Sequence, residues 1–330
     1  MMKKEMRVVE ITEPGGSDVL RIGARALPTL DTGEVLIEVK AAGVNRPDIF
    51  QRKGIYPPPE GASDLLGLEV AGVIVDGDVS GTDFKIGDHV CALTPGGGYA
   101  EYCKVAASNC LPLPIGLDFV QAASLPETYF TVWSNVFDIC RLKESETLLV
   151  HGGASGIGTS AIQIATALGH DVYATVGSDD RVKAVEDMGA AKGINYKCED
   201  FVEEIMQLTD GRGVDVILDM VSGEYINRDI KCAAMDGRIV IIAQLGGSRA
   251  EISSGSLMRK RITLTGSTLR PRTIEYKAKI ASELRERVWP LFADGSVKPV
   301  VDKVFPFEEA AQAHAYMESG AHIGKIVLFF

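Results

Sequence analysis

Between an apolar run and an amphipathic stretch the chain reads His151-Gly-Gly-Ala-Ser-Gly-Ile-Gly158. Glycine in a strand-to-helix turn lets backbone N–H groups approach a diphosphate, and the helix that follows adds the partial positive charge of its N-terminus. The glycines stand at 152, 153, 156 and 158, a departure from G-x-G-x-x-G, so the strand before and the helix after carry the assignment. A tight turn without ligand would forfeit roughly 0.5–1 kcal/mol at each glycine relative to alanine. Gly153, Ser155, Gly156 and Ile157 are therefore expected to hold a dinucleotide.

Which dinucleotide depends on the end of the next strand, where a carboxylate would bind a ribose 2′-hydroxyl and a cation a 2′-phosphate. Here that end is Gly177-Ser178-Asp179-Asp180-Arg181. Gly177 removes the carboxylate from its usual place, Ser178 can donate to phosphate, and Arg181 can form a charge-assisted fork, which favours NADPH. Asp179 and Asp180 argue the other way if the loop is short. Tyr196 either flanks the adenosine phosphate or packs as a loop tyrosine.

The elements that must position these residues follow from the apolar pattern. Strands are predicted at Thr147–His151, Val172–Val176, Val214–Met220, Arg238–Ala243 and Ile262–Gly266, with helices between them such as Thr159–Leu168, which implies a parallel sheet of right-handed βαβ units. The first third is β-rich, with strands at Met6–Ile11, Glu34–Ala41, Leu68–Asp76 and His89–Leu93 separated by Gly and Pro. After Pro271 come helices at Tyr276–Ala293 and Glu308–Met317 and a closing strand, Gly324–Phe329, which returns to the first domain. The fold class is α/β: a Rossmann doubly wound parallel sheet over 128–268, with a discontinuous β-rich catalytic domain over 1–127 and 269–330.

At 330 residues, with 46% hydrophobic and 24% charged, the composition is that of two ordinary globular domains. A net charge of −11 without a basic stripe disfavours nucleic acid. The six cysteines include no C-x-x-C pair, so reduced thiols are expected and no zinc cluster. Neither an export signal nor a membrane span is legible, and a cytoplasmic protein is the expectation.

The segments Ala42-Gly-Val-Asn-Arg-Pro-Asp48, Arg52-Lys-Gly-Ile-Tyr-Pro-Pro-Pro59, Gly67-Leu-Glu-Val-Ala-Gly72, Lys85-Ile-Gly-Asp88, His151 to Gly158 and Gly324-Lys-Ile-Val-Leu328 occur in order along the chain. Together they resemble the zeta-crystallin-like quinone oxidoreductases of the medium-chain dehydrogenase/reductase superfamily, particularly the p53-inducible subgroup. The resemblance implies a GroES-like catalytic domain around the Rossmann domain, a homodimer with a tetramer left open, and an active site in the cleft between the domains. It places Asn45 and Leu68 where zinc alcohol dehydrogenases carry metal-binding cysteine and histidine, so a zinc-free site is expected. Quinones and enones are then the expected small-molecule substrates, because a hydride from NADPH leaves a delocalised oxyanion that hydrogen bonds can hold. An enoyl thioester reductase, or a non-catalytic NADPH-binding module of crystallin type, stays open.

By the same resemblance Asn45 and Tyr56 orient the substrate carbonyl, Tyr56 also being a possible proton donor. The competing readings are a turn-forming amide for Asn45 and a ring stacked on Pro57 to Pro59 for Tyr56. Asn45, Asp48, Thr131, Ser134, Ala243, Gln244, Leu245, Ser267, Thr268, Leu269 and Lys325 become coenzyme contacts. Where many relatives carry A-x-x-G-x-x-G, this chain has Gly152 and Ser155 at the first two marked positions. His151 is read as strand packing rather than a catalytic base, Gly96–Gly98 as a turn, His89, His314 and His322 as surface or structural residues, and Trp133 and Trp289 as buried anchors.

Overall fold

The computed structural model describes residues 4–330; the first three residues of the N-terminal segment lie outside it. The chain forms two compact units. Unit 1 takes the chain up to Phe130, Arg270–Gly295 and Pro299–Phe330, and unit 2 takes Thr131–Leu269 with Ser296–Lys298.

Unit 1 opens with the antiparallel pair β1 (Glu5–Ile11) and β2 (Leu20–Ala26), followed by β3 (Glu34–Val44), α1 (Arg46–Arg52), β4 (Glu69–Gly77), β5 (His89–Leu93), β6 (Tyr102–Ala106), β7 (Cys110–Pro112), α2 (Phe119–Ala122) and α3 (Pro126–Val132). The two ends of β3 serve different neighbours. Glu34–Glu38 pairs with β6, Val35–Ala42 pairs with β4, and Ala41–Val44 pairs with the closing strand of the chain. Val35, Ile37 and Val39 are buried together with Val70, Ile74 and Val90, and each such side chain contributes roughly 1.5–3 kcal/mol of transfer free energy.

Unit 2 runs through β8 (Leu148–His151), α4 (Gly156–Ala167), β9 (Val172–Val176), α5 (Asp179–Asp187), β10 (Lys192–Asn195), α6 (Phe201–Leu208), β11 (Val214–Asp219), α7 (Tyr225–Cys232), β12 (Ala233–Ile241), α8 (Ser254–Lys260) and β13 (Thr263–Gly266). Its sheet is parallel throughout, in the order β10-β9-β8-β11-β12-β13. Counted within the unit this is 3-2-1-4-5-6, the doubly wound order that opens a crevice where the direction of winding reverses. Every residue of β8, β9 and β11 is buried, as strands covered by helices on both faces must be.

The return to unit 1 supplies α9 (Ile274–Arg287), α10 (Trp289–Ala293), β14 (Val301–Pro306), α11 (Ala310–Ser319) and β15 (Lys325–Phe329). β15 lies between β14, to which it is parallel, and β3, to which it is antiparallel.

Three elements differ from the sequence expectation. The helix expected over 276–293 breaks at Val288, because Pro290 near the start of α10 cannot donate into a continuous helix. The resemblance puts Thr131 and Ser134 at the entry to a long helix; the structure has α3 there, followed by a π-helical segment, Trp133–Ile139. There Trp133 stacks on Phe137 at 4.7 Å and the Asn135 amide donates back to the Thr131 carbonyl. β12 starts five positions before Arg238, passing through Asp236 in the left-handed region and a register shift against β11.

Candidate active site

In unit 2 the parallel sheet brings the ends of β8, β9, β12 and β13 to one side, and most of the sequence-predicted coenzyme residues lie in the turns that leave those ends. The turn after β8 is closed by Ser155, the N-cap of α4, whose Oγ accepts from the Gly158 N–H at 3.0 Å. A Cβ at Gly158 would overlap the Gly152 carbonyl and Gly153, so helix and turn approach as only glycine allows. Among the described residues the N–H groups of Gly156 and Ile157 find no partner within the protein, which leaves two donors at the N-terminus of a twelve-residue helix. A diphosphate suits such a cradle.

After β9, a Cβ at Gly177 would stand 2.8 Å from the Tyr196 hydroxyl, so Tyr196 lies against the end of that strand. Ser178 is the N-cap residue of α5 but makes no capping hydrogen bond, and its hydroxyl is left available. Asp179 is turned aside: its Oδ1 accepts from the Asn195 amide at 2.7 Å. Arg181 is half-buried in the first turn of α5.

Ala243, Gln244 and Leu245 follow β12, the latter two exposed. After β13, the Ser267 hydroxyl donates to Asn135 Oδ1 at 2.6 Å, Thr268 is exposed and Leu269 half-buried. Thr131 is half-buried and Ser134 buried.

His151 ends β8 fully buried, between Thr175 Oγ1 at 2.9 Å and Asp229 Oδ1 at 2.8 Å, with the rings of Phe201 and Tyr225 edge-on to it. It ties β8 to β9 and α7.

In unit 1, Asn45, Asp48 and Lys325 converge. Asn45 lies at the N-terminus of α1, where its backbone N–H donates to Asp48 Oδ2 at 2.8 Å; Asp48 Oδ1 accepts from the Gly67 N–H at 3.0 Å. Burial pushes the Asp48 carboxyl up to about 6. The Lys325 ammonium donates to Asn45 Oδ1 at 2.5 Å, Glu69 Oε1 at 2.6 Å and the Val44 carbonyl at 3.3 Å, so all three of its protons are engaged. The Asn45 amide donates to the same Glu69 Oε1 at 2.8 Å, and Glu69 Oε2 accepts from the Glu127 N–H at 2.8 Å. Every partner of Glu69 is a donor, the pattern of an ionised carboxylate.

Behind Asp48 a second buried chain supports the turn. Arg52 lies 3.4 Å from His314 Nδ1; an arginine only donates, so Nε2 carries the proton and donates to the Tyr99 hydroxyl at 3.1 Å, which faces Asp48 Oδ2 at 3.5 Å. Burial drives His314 down to about 3, which keeps it neutral.

Tyr56 is half-buried beside the Arg270 guanidinium, whose carbon stands 5.4 Å from the ring centre. Arg270 donates through Nε to the Pro95 carbonyl and through Nη2 to Gln51, while Nη1 is buried without a partner. Lys277, also buried, donates to the Arg270 carbonyl at 2.8 Å. Burial, then the Glu127 charge, raise the Tyr56 hydroxyl above its ordinary value.

Glu69, Glu127, Arg270 and Lys277 were not singled out by sequence reasoning. The one available signal was local: Pro126-Glu127 reads as a helix start with an acid in its first turn. Among the described residues no three His, Cys, Asp or Glu side chains converge as metal ligands, and no helix is long and apolar enough to cross a membrane.

Comparison with known proteins places this architecture. Residues 31–115 match the alcohol dehydrogenase GroES-like domain and residues 188–328 the zinc-binding dehydrogenase family. The quinone oxidoreductase of Rattus norvegicus is 34% identical over 329 residues, covering 99% of this chain and 98% of its own. The chain belongs to the quinone oxidoreductase family of medium-chain dehydrogenases/reductases. Members of this family are oxidoreductase enzymes, and their architecture is the one seen here, a Rossmann sheet with a separate GroES-like β domain. Among solved structures, mycobacterial Rv1454c complexed with NADPH aligns with a TM-score of 0.87 at 28% identity, over 98% of this chain and all of that one. The CurK enoyl reductase aligns with a TM-score of 0.85 at 27% identity, over 99% of each chain.

Proposed function

We propose that this oxidoreductase uses NADPH to reduce quinones and other conjugated carbonyls. The observation that carries the coenzyme choice is the Asp179–Asn195 hydrogen bond, which turns the first carboxylate after β9 toward a protein partner. Ser178 and Arg181 then stand as the donors for a 2′-phosphate. The NADPH in the Rv1454c structure and the name of the rat relative support the same reading.

In this reading the turn after β8 holds the diphosphate through the N–H groups of Gly156 and Ile157. When bound, the reduced nicotinamide supplies a hydride. The chain's own work is to hold the acceptor: Asn45 is locked in one orientation by Lys325 and Glu69, and Tyr56 presents its hydroxyl with Arg270 behind the ring. A quinone or enone needs only such donors, since the charge it gains is spread over the conjugated system.

The test is direct. Purified protein is given NADPH or NADH with a quinone, a short enone or an enoyl thioester, and absorbance at the nicotinamide band is followed. Preference for NADPH with a quinone or enone is expected. Preference for the thioester would favour the second reading, which the likeness to CurK enoyl reductase supports. Tight NADPH binding without turnover would leave a binding module. We also read β13, the edge strand of the unit 2 sheet, as the pairing edge of a homodimer, to be checked by sedimentation equilibrium.

A further inference from the structure

Two carboxylic acids meet at the N-terminus of α3, and they are treated differently. Glu69 is fully buried, and its oxygens accept from Lys325, Asn45 and the Glu127 backbone. The Glu127 side chain is half-buried and has no hydrogen-bond partner. Facing it are Glu69 from β4, Asp48 from α1, Lys325 from β15, Lys277 from α9, and Tyr56 and Arg270 from the loops. Where two carboxyls share a site, the one with the donors keeps the charge and the other takes the proton.

We propose that Glu127 is the proton donor to the acceptor's oxygen. This rests on the reductase reading above. The acceptor takes a hydride from the reduced nicotinamide, which is oxidised; a new bond to hydrogen forms on the conjugated system and the displaced electron pair settles on the carbonyl oxygen. That oxygen binds the Glu127 proton, the electrons of the broken O–H bond stay on the carboxylate, and water restores the proton. Burial and the Glu69 charge push the Glu127 carboxyl up to about 8, so it is an acid at neutral pH.

The test uses Glu127→Gln, which keeps the backbone N–H that Glu69 requires. With NADPH and a quinone, the variant is expected to lose about 10²- to 10⁴-fold in kcat while NADPH affinity and Tm stay close to wild type. Because the protonated form is the active one, wild-type kcat should fall as pH rises through about 8, and this limb should vanish in the variant. Without coenzyme, a difference titration of wild type against variant should show one carboxyl releasing its proton well above the ordinary range. Full activity in the variant, an unchanged alkaline limb, or no such titration overturns the assignment alone. A wild type that reduces no acceptor overturns the reading beneath it.

Discussion

In unit 2 the turn after β8 presents backbone: glycines packed on one another, two open N–H groups, and a single capping side chain, Ser155. In unit 1 the surroundings of Asn45 are side chain almost throughout, with Asp48, Glu69, Glu127, Arg270, Lys277 and Lys325 drawn from five separate stretches of chain. A diphosphate is recognised wherever it lies along the chain by the same dipoles, so backbone suffices. An acceptor carbonyl must be fixed at one atom, which needs charges whose mutual neutralisation holds a neutral amide still.

The largest effect is expected from breaking the ionic cluster. Lys325→Met leaves Glu69 buried without its counter-charge and should cost about 3–5 kcal/mol in urea unfolding, whereas the double change with Glu69→Gln should recover most of it. A loss below about 1 kcal/mol in the single variant would mean that water reaches the cluster. Next comes the cationic donor proposed for the 2′-phosphate. Arg181→Ala should weaken NADPH by about ten- to a hundredfold in fluorescence titration and NADH by less than about threefold. Equal effects would remove the 2′-phosphate assignment. The smallest effect belongs to Ser155→Ala, about 1 kcal/mol of stability from the lost cap, with coenzyme affinity changed only a few-fold. A drop as large as that at Arg181 would show a side chain, not backbone, holding the diphosphate.

The same contrast explains what could be read beforehand. The strand, turn and helix at 147–168 are contiguous, so the glycine spacing and apolar period give the element and its use together. β5 and β9 likewise fall where alternation or a continuous apolar run puts them. The Glu69–Lys325 pair spans 256 positions, and nothing local in either segment announces the other. Asn45 and Lys325 were reached through resemblance, but that they touch each other is a fact of the β3–β15 register. The π-helical segment depends on one aromatic stack and one amide, a detail below the resolution of periodicity. The break at Val288 had its signal in Pro290, outweighed by the helical pattern around it.

The position of β15 beside β3 also sets an order of events during folding. Unit 2 is nearly one continuous stretch and its neighbouring strands are mostly close in sequence, whereas the sheet of unit 1 cannot close until a strand some 280 positions away arrives. Until then Glu69 has no cation beside it and every reason to stay in water. Amides of β8, β9 and β11 should accordingly gain protection from solvent exchange before those of β3 and β4, with the Asn45–Glu69–Lys325 cluster assembled last.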